Sequence, residues 1–569
     1  MIGILRGPTP ADQHGGSLSH FVLRAAVVFV VLALLAGCSN TGFNVPDPVP
    51  DDRRDIPPPN KQKIHILADG FDKQISRQFG QMFDNSRNLR KLFGKPKQAM
   101  NVNAFDEIDD SSWFTNRNAK KQMPIEEIKR GPNTGGGPET AGPWTIIGAK
   151  TEGVTPGFTI EDSEGGRFVI KFDPKGWPEM TTSAELISTK LFYASGYNTP
   201  ENYLTYFDPK ILRVGDVMIE DNGEKRSMNE NDLRNILARV DTARDGKIRA
   251  VASKFIDGKL IGPFKYHKTR KDDPNDLIPH EHRRELRGLR VIAAWLNHYD
   301  TKANNSLDAY VEEDGRRFVK HFLIDFGSTL GSEGDEPKPV WTGYENTFDP
   351  HQVTLNTLAL GLYVPSWEKK REIRYRSIGL FDSHAFHPQK FKFIFPNLAF
   401  ENLTKRDGYW GAKIVTSFTD EQLEAAVSVA EYSDPNAAAY LVGVLKERRD
   451  IVGRYWFSRV NTLDNFDVAD GALSFTDLAF ERGYRAQAQC QYTIRKNGEI
   501  ITEYGELEEL DRSTGSLSIP LPPSESGLLE VRLRNRIGDG DKWSKWLSVY
   551  VNTDDDSGDY SLVAIMRGD

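Results

Sequence analysis

Asn297-His298-Tyr299-Asp300-Thr301-Lys302-Ala303-Asn304-Asn305 is the stretch from which the fold is read, taken with Leu323-Ile324-Asp325-Phe326-Gly327 further along. The first piece supplies a carboxylate at Asp300, a lysine two positions later and an amide five positions later. The second places another carboxylate, Asp325, at the end of an apolar run and follows it with a glycine. One carboxylate to orient an attacking hydroxyl, with an amide and a second carboxylate to hold a divalent cation, is the set that phosphoryl transfer requires.

Working outward, His280 to His298 reads as one long helix, with Leu286, Leu289, Ile292, Ala293 and Leu296 on one side. Asp314-Gly315 reads as the turn of a hairpin joining the two motifs. Upstream, residues 144–147, 158–160 and 168–172 read as strands. Gly148, Gly153 and Gly157 lie around the first turn, where glycines let backbone amides approach a phosphate. Lys171 stands near the end of the third strand, either as a phosphate partner or as a surface lysine on an edge strand. Residues 182–196 read as a helix with Ala184, Ile187, Leu191 and Ala194 on one face. Glu185 has two readings there. It pairs with Lys171, or, with Thr182 as N-cap, it completes a capping box.

The chain has 569 residues, 38% hydrophobic and 27% charged. That length suggests about two to four domains, and the composition excludes a wholly disordered chain. Net charge is -8, with no concentrated basic face, so nucleic acid is not an expected partner. Residues 21–36 contain an apolar run, 25–36, too short to span a membrane comfortably. It ends in Leu35-Ala36-Gly37-Cys38, the shape of a secretory signal over 1–38. The cysteines are Cys38 and Cys490. Were Cys38 taken up by a modification, Cys490 would have no intramolecular partner, and a lone thiol builds no metal site.

Residues 39–60, rich in Pro and Asp, read as an extended, disordered tether. Residues 61–143 read as an extension packed on the next domain, with a candidate helix over 72–93 and an irregular stretch over 101–118. Residues 248–256 read as a buried strand and 265–276 as a charge-dense loop. Helices are expected after Thr419 or Asp420 and over 434–452. From about residue 467 the texture becomes all-β, with Lys496-Asn497-Gly498 as a hairpin turn. In that region Leu529, Val531 and Leu533 alternate with Arg532, Arg534 and Arg536. The arginines can interleave with Trp543 and Trp546 as a cation–π ladder.

Three resemblances follow from these residues. Asp300-Thr-Lys302-Ala-Asn-Asn305, with Tyr299 in place of an arginine, resembles the catalytic loop of protein kinases, and Asp325-Phe326-Gly327 resembles their metal-binding motif. Lys171-Phe-Asp173, Ala184-Glu185-Leu-Ile187 and residues 194–200 are similar in layout to the atypical, HipA-type kinases. The resemblance implies an α+β fold with a two-lobed kinase-like domain over 144–460, a small lobe at about 144–257 and a large lobe at about 258–460. It implies ATP and Mg²⁺ as cofactors, Asp300 and Lys302 as catalytic residues, Lys171, Glu185 and Gly153 as nucleotide-binding residues, and Asn305 and Asp325 as metal ligands. Residues 467–569 resemble a fibronectin type III β-sandwich, a possible contact for an envelope protein or glycan. Leu35-Ala-Gly-Cys38 resembles the lipobox of bacterial lipoproteins, which implies lipidation at Cys38. Ser39, in the place of a retaining aspartate, implies the outer membrane. The expected function is phosphoryl transfer to a hydroxyl acceptor by a lipid-anchored envelope protein. The alternative is a catalytically inactive nucleotide- or ligand-binding lipoprotein acting in the envelope.

Overall fold

The computed structural model describes residues 43, 45–63, 89–90, 95–150, 157–221, 224–242, 245–346, 371–384, 386–509, 516–523, 527–538, 542–553 and 559–568. Cys38, Gly153 and nearly all of the helix expected over 72–93 lie outside the described residues. The chain divides into the units Met1–Asp47 and Pro48–Asp569. The second is an α+β unit, and all that follows lies within it.

After a short helix α1 (Ile125–Arg130) come strands β1 (Trp144–Lys150), β2 (Gly157–Glu161) and β3 (Arg167–Phe172), then helix α2 (Met180–Ala194). Strands β4 (Asn202–Phe207) and β5 (Leu212–Val214), the hairpin β6 (Met218–Asp221) and β7 (Glu224–Ser227), helix α3 (Glu230–Leu237) and strand β8 (Ile248–Lys254) follow. They build a six-stranded sheet in the order β4-β8-β3-β2-β1-β5. In β3, Phe168, Ile170 and Phe172 enter an apolar core with Trp144, Ile146, Phe158 and Ile160. Side chains alternate across a strand, so Lys171 points to the opposite face, the one α2 packs against.

Strand β9 (Lys259–Gly262) pairs with a hairpin of β10 (Ser306–Glu313) and β11 (Arg316–Leu323) in the order β11-β10-β9. Its turn is the expected one, with Asp314 and Gly315 at φ 51° and 72°, the geometry that suits a two-residue hairpin loop. Helix α4 (Arg284–Trp295) is shorter than the helix expected over 280–298. A 3-10 turn, His280–His282, precedes it, and the break falls at Arg283, which is extended and pairs with Asp52, Asp276 and Glu285. The first amide of α4, Arg284 N, donates to Asn101 Oδ1 at 2.8 Å. Helices α5 (Leu398–Glu401), α6 (Lys405–Val415), α7 (Asp420–Ser428) and α8 (Pro435–Phe457) share a core with α4. A Cβ on Gly288 of α4 would meet the Trp410 ring at 2.5 Å, and one on Gly411 of α6 would lie 2.9 Å from Gly288 O. Those two glycines permit the close approach of α4 and α6.

The last region holds β12 (Leu463–Ala469), β13 (Ala472–Asp477), helix α9 (Leu478–Glu481), β14 (Ala488–Lys496), β15 (Glu499–Glu509), β16 (Leu517–Pro520), β17 (Gly527–Ile537), β18 (Lys542–Trp543), β19 (Leu547–Thr553) and β20 (Tyr560–Arg567). One sheet runs β12-β13-β16 and another β15-β14-β17-β19-β20, with β18 beside β17. Their apolar faces share one core that includes Leu473, Ile519, Leu529, Val531 and Val549. Asn497 and Gly498 make the expected turn between β14 and β15, at φ 52° and 89°.

The tether expected to be disordered over 39–60 is packed over its second half. Ile56 N donates to Arg317 O at 2.9 Å and Gln62 N to Ile261 O at 2.8 Å, so the segment lines both edges of the β9–β11 sheet. Ile56 is buried against Ile261 and Val319, and Asp52 accepts from Ser112 N and Oγ. Pro and Asp deny this stretch a core of its own, but its one isoleucine and its carboxylates find partners far along the chain.

Candidate active site

Lys171 sits on the α2 side of β3, opposite Gly157 in the β2–β3 register. The glycine-bearing stretch between β1 and β2 therefore ends directly across from the lysine. A Cβ at Gly157 would stand 2.6 Å from Ile170 O. Gly153, in the same stretch of sequence, lies outside the described residues.

The helix carrying Glu185 is capped from a distance. Asp173, two residues after Lys171, accepts from Thr181 N and Thr182 N, each at 2.9 Å, and from Thr182 Oγ1 at 2.7 Å. The buried Arg249 stands 3.6 Å from the same carboxylate and donates to Thr182 Oγ1, Ser183 Oγ and Ala430 O. The capping box with Thr182 as N-cap does not form, because α2 already begins at Met180 and Asp173 holds its first amides. Glu185 turns instead to Lys171, with Oε2 2.9 Å from Nζ, and its Oε1 accepts from Asn202 Nδ2 at 3.2 Å.

Lys171 Nζ also lies 2.9 Å from Asp325 Oδ1. Burial by itself would depress this ammonium; the Asp325 and Glu185 carboxylates outweigh it and hold the group above the usual lysine range. Lys171 is therefore a fixed cation. Asp325 adopts a left-handed backbone at φ 65°, a conformation that costs energy in a non-glycine residue. The neighbouring residues hold it there. Phe326 is buried and stacked on Phe192 of α2, centroids 4.9 Å apart. On the same face of α2, Thr181 Oγ1 donates to Gly334 O at 2.6 Å and Ser188 Oγ meets Thr329 Oγ1 at 2.6 Å. Thr181 and Ser188 thus fasten one helix face to the segment after Asp325, and Glu185 on that face reaches Asp325 through Lys171.

A second cluster forms at the end of α4. Arg448 of α8 donates to Ala294 O at 2.6 Å and Trp295 O at 2.9 Å, closing the last turn of the helix. Asn297, at φ 55°, turns the chain out of the helix. His298 is buried against the stacked pair Phe192 and Phe326, 5.6 and 5.8 Å from their ring centroids. Burial pushes its pKa down to about 4, with Lys338 adding to the effect and Asp300 opposing it. Asp300 Oδ1 lies 2.7 Å from Lys302 Nζ. Asn305 Nδ2 donates to Asp300 Oδ2 at 3.0 Å and to Asp300 O at 2.9 Å.

The structure therefore gathers the expected residues into two groups, Lys171–Glu185–Asp325 and Asp300–Lys302–Asn305. The β10–β11 hairpin joins them. Strand β10 starts immediately after Asn305, β11 ends two residues before Asp325, and Ile324 N donates to Asn305 O at 3.2 Å. Asn305 and Asp325 are held side by side at the open end of that hairpin. Among the described residues no group of three or more His, Cys, Asp or Glu is arranged to hold a metal. The hard oxygens of Asp325 and Asn305 suit a cation that takes its remaining ligands from phosphates and water, as Mg²⁺ does.

No family model matches the chain, and no curated protein matches it. The solved structures that resemble it weakly include two of one kinase. A crystal structure of the Golgi casein kinase with Mn/ADP bound aligns at a TM-score of 0.28 and 8% identity, over 66% of this chain and 87% of that one. A second crystal structure of the Golgi casein kinase aligns at 0.23 and 9%, over 60% and 88%. At these scores the likeness decides nothing, and the weight rests on the geometry.

Several residues that shape the site carry no local signal in the sequence. Asp173 follows Lys171 closely, but its role as a cap depends on how β3 and α2 meet. Arg249 and Arg448 act from later elements. Lys338 is wholly buried; its Nζ donates to Ser328 Oγ at 2.8 Å and to Glu333 Oε2 at 2.5 Å, and lies 5.6 Å from the Tyr299 ring centroid.

Proposed function

We propose that this chain is an atypical, kinase-like phosphotransferase that binds ATP with Mg²⁺ and transfers a phosphoryl group to a hydroxyl acceptor. The observation that carries this reading is Lys171 Nζ held 2.9 Å from both Glu185 and Asp325. An ammonium fixed between a buried helix carboxylate and a solvent-facing one is poised to receive phosphate oxygens. In this reading Lys171 holds the phosphates and Glu185 holds Lys171. Asp300 orients the acceptor hydroxyl and takes its proton, and Lys302 neutralises charge on the group in transfer. Asn305 and Asp325 would hold the metal, which when bound offsets the negative charge of the phosphates. The glycine turn containing Gly153 would cover the nucleotide. In the same reading the sheets built from β1–β5 with β8 and from β9–β11 belong to two lobes, and residues 467–569 form a fibronectin type III-like sandwich open to an envelope protein or glycan. Lipidation at Cys38 would place the molecule on the outer membrane of a bacterial envelope.

The test is transfer of the γ-phosphoryl group from ATP by the chain, followed with and without Mg²⁺ and in Asp300→Ala. Metal-dependent transfer that is lost in the variant supports the reading. Nucleotide binding without transfer in the unaltered chain would favour the inactive, ligand-binding alternative.

A further inference from the structure

A cavity of about 30 Å³ adjoins Asn297, the residue that turns the chain from α4 into the Asp300 loop. Arg371, Arg448, Lys390 and His387 line it, together with Asn297 and Thr342. Two independent features of this lining point the same way.

The first is charge. Arg371 pairs with Asp382 at 2.8 Å. Arg448 donates to the carbonyls of Ala294, Trp295 and Asp382 and meets no carboxylate among the described residues. The Lys390 ammonium has no ion pair among the described residues. Of these cations Lys390 is exposed, whereas Arg448 is buried, packs over the Phe386 ring at 3.8 Å and has no carboxylate to balance it among the described residues. Uncompensated charge is costly away from water. Burial, with the neighbouring Arg371 adding to it and Asp382 opposing, pushes Arg448 down to about 9. The second feature is the donors. Asn297 Nδ2 and Thr342 Oγ1 are buried without a hydrogen-bond partner among the described residues, on residues 1% and 2% exposed. Such groups cost about 1–3 kcal/mol each when left unmet. What the cavity lacks is one acceptor that also carries negative charge.

We propose that this cavity binds a small inorganic anion of the halide class. Its volume exceeds the roughly 10–15 Å³ that a single water needs and leaves no room for a nucleotide. An anion there accepts from Asn297 and Thr342 and balances the buried Arg448, with the exposed Lys390 also on the lining. Because Arg448 closes α4 and Asn297 opens the Asp300 loop, the anion ties that loop to the body of the protein. This inference stands apart from the phosphotransferase reading, and neither needs the other.

Thermal unfolding of the full chain in sodium chloride and in sodium bromide, against sodium gluconate at equal ionic strength, tests it. Gluconate is too large for the cavity. The expected result is a saturable rise in Tm of about 2 °C or more with either halide. That rise should vanish in a Thr342→Val, Lys390→Met variant whose Tm in gluconate stays near that of the unaltered chain. Crystals of the unaltered chain soaked in bromide should show an anomalous peak between Asn297 and Thr342. Equal Tm in halide and gluconate, or density for water alone at that point, would overturn the proposal.

Discussion

Around Lys171 and around Arg567, carboxylates and cations are packed at ion-pair distance, yet only around Lys171 is a carboxylate half open to solvent. At the junction of the last strand with the body, Asp106 stands 3.0 Å from Arg567, 2.9 Å from Arg284 and 2.6 Å from Arg406. Side-chain exposure there is 5% for Asp106, 3% for Arg567 and 1% for Arg284. Burial would raise the Asp106 carboxyl, and Arg284, Arg406 and Arg567 together reverse that and hold it below the usual carboxylate range. At the candidate active site, Glu185 is equally enclosed at 1%, but Lys171 is 18% exposed and Asp325 50%. Both clusters perturb titration strongly, so perturbation alone does not separate a site from a structural rivet. Access does. In one cluster the carboxylate is enclosed although Arg406 is 18% exposed, and in the other a half-exposed carboxylate stands beside the cation.

If that contrast is right, the two clusters respond to mutation in opposite ways. Arg567→Ala leaves Asp106 buried with a partner removed. It should destabilise the protein by about 3–5 kcal/mol, read from chemical denaturation, without acting on the active-site chemistry directly. Asp325→Ala should do the reverse. Removing a half-exposed carboxylate should change stability by no more than about 1 kcal/mol, while phosphoryl transfer falls about 10²–10³-fold, read as initial rate at saturating Mg-ATP. A large loss of stability in Asp325→Ala would erase the distinction.

The pH dependence sharpens it further. His298 is held neutral in the fold, near 4 against an ordinary value of 6.5. The unfolded chain therefore takes up a proton first as pH falls. The stability His298 contributes is complete above about pH 6.5 and is lost progressively between there and pH 4, up to about 3 kcal/mol in all. Unfolding midpoints measured across that window should decline, and the decline should shrink in His298→Gln. The smallest effect is expected on the outer face of β17. Arg534 lies over Trp543 and Trp546, at 5.1 and 4.5 Å from the ring centroids. Arg534→Ala should cost about 0.5–1 kcal/mol, read from denaturation of the full chain.

Much of this was legible in the residues. Asp314-Gly315 and Asn497-Gly498 specify turns whose backbone needs those residue types, so both hairpins follow from short-range chemistry. The pattern of β3 and α2 put Lys171 and Glu185 within reach of each other. What decided between their pairing and a local capping box was Asp173, and its role depends on tertiary packing. The packed course of residues 51–62 was likewise hidden. Its contacts are with Ser112, Ile261 and Arg317, and nothing in a proline-rich stretch announces a distant sheet edge. The junction was the least visible of all, since Asp106 and Arg567 are separated by 461 positions and a lone Asp and a lone Arg carry no shared signal. The Arg–Trp ladder on β17 could be read because alternation places its arginines on one face.

The central claim is that Lys171, Glu185 and Asp325 form a nucleotide–metal site. Calorimetric titration of ATP into the full chain, with Mg²⁺ and then with EDTA, addresses it most directly. The account predicts saturable binding with Mg²⁺ that disappears with EDTA and in Asp325→Asn. No binding in the unaltered chain, or binding indifferent to both metal and Asp325, would contradict it.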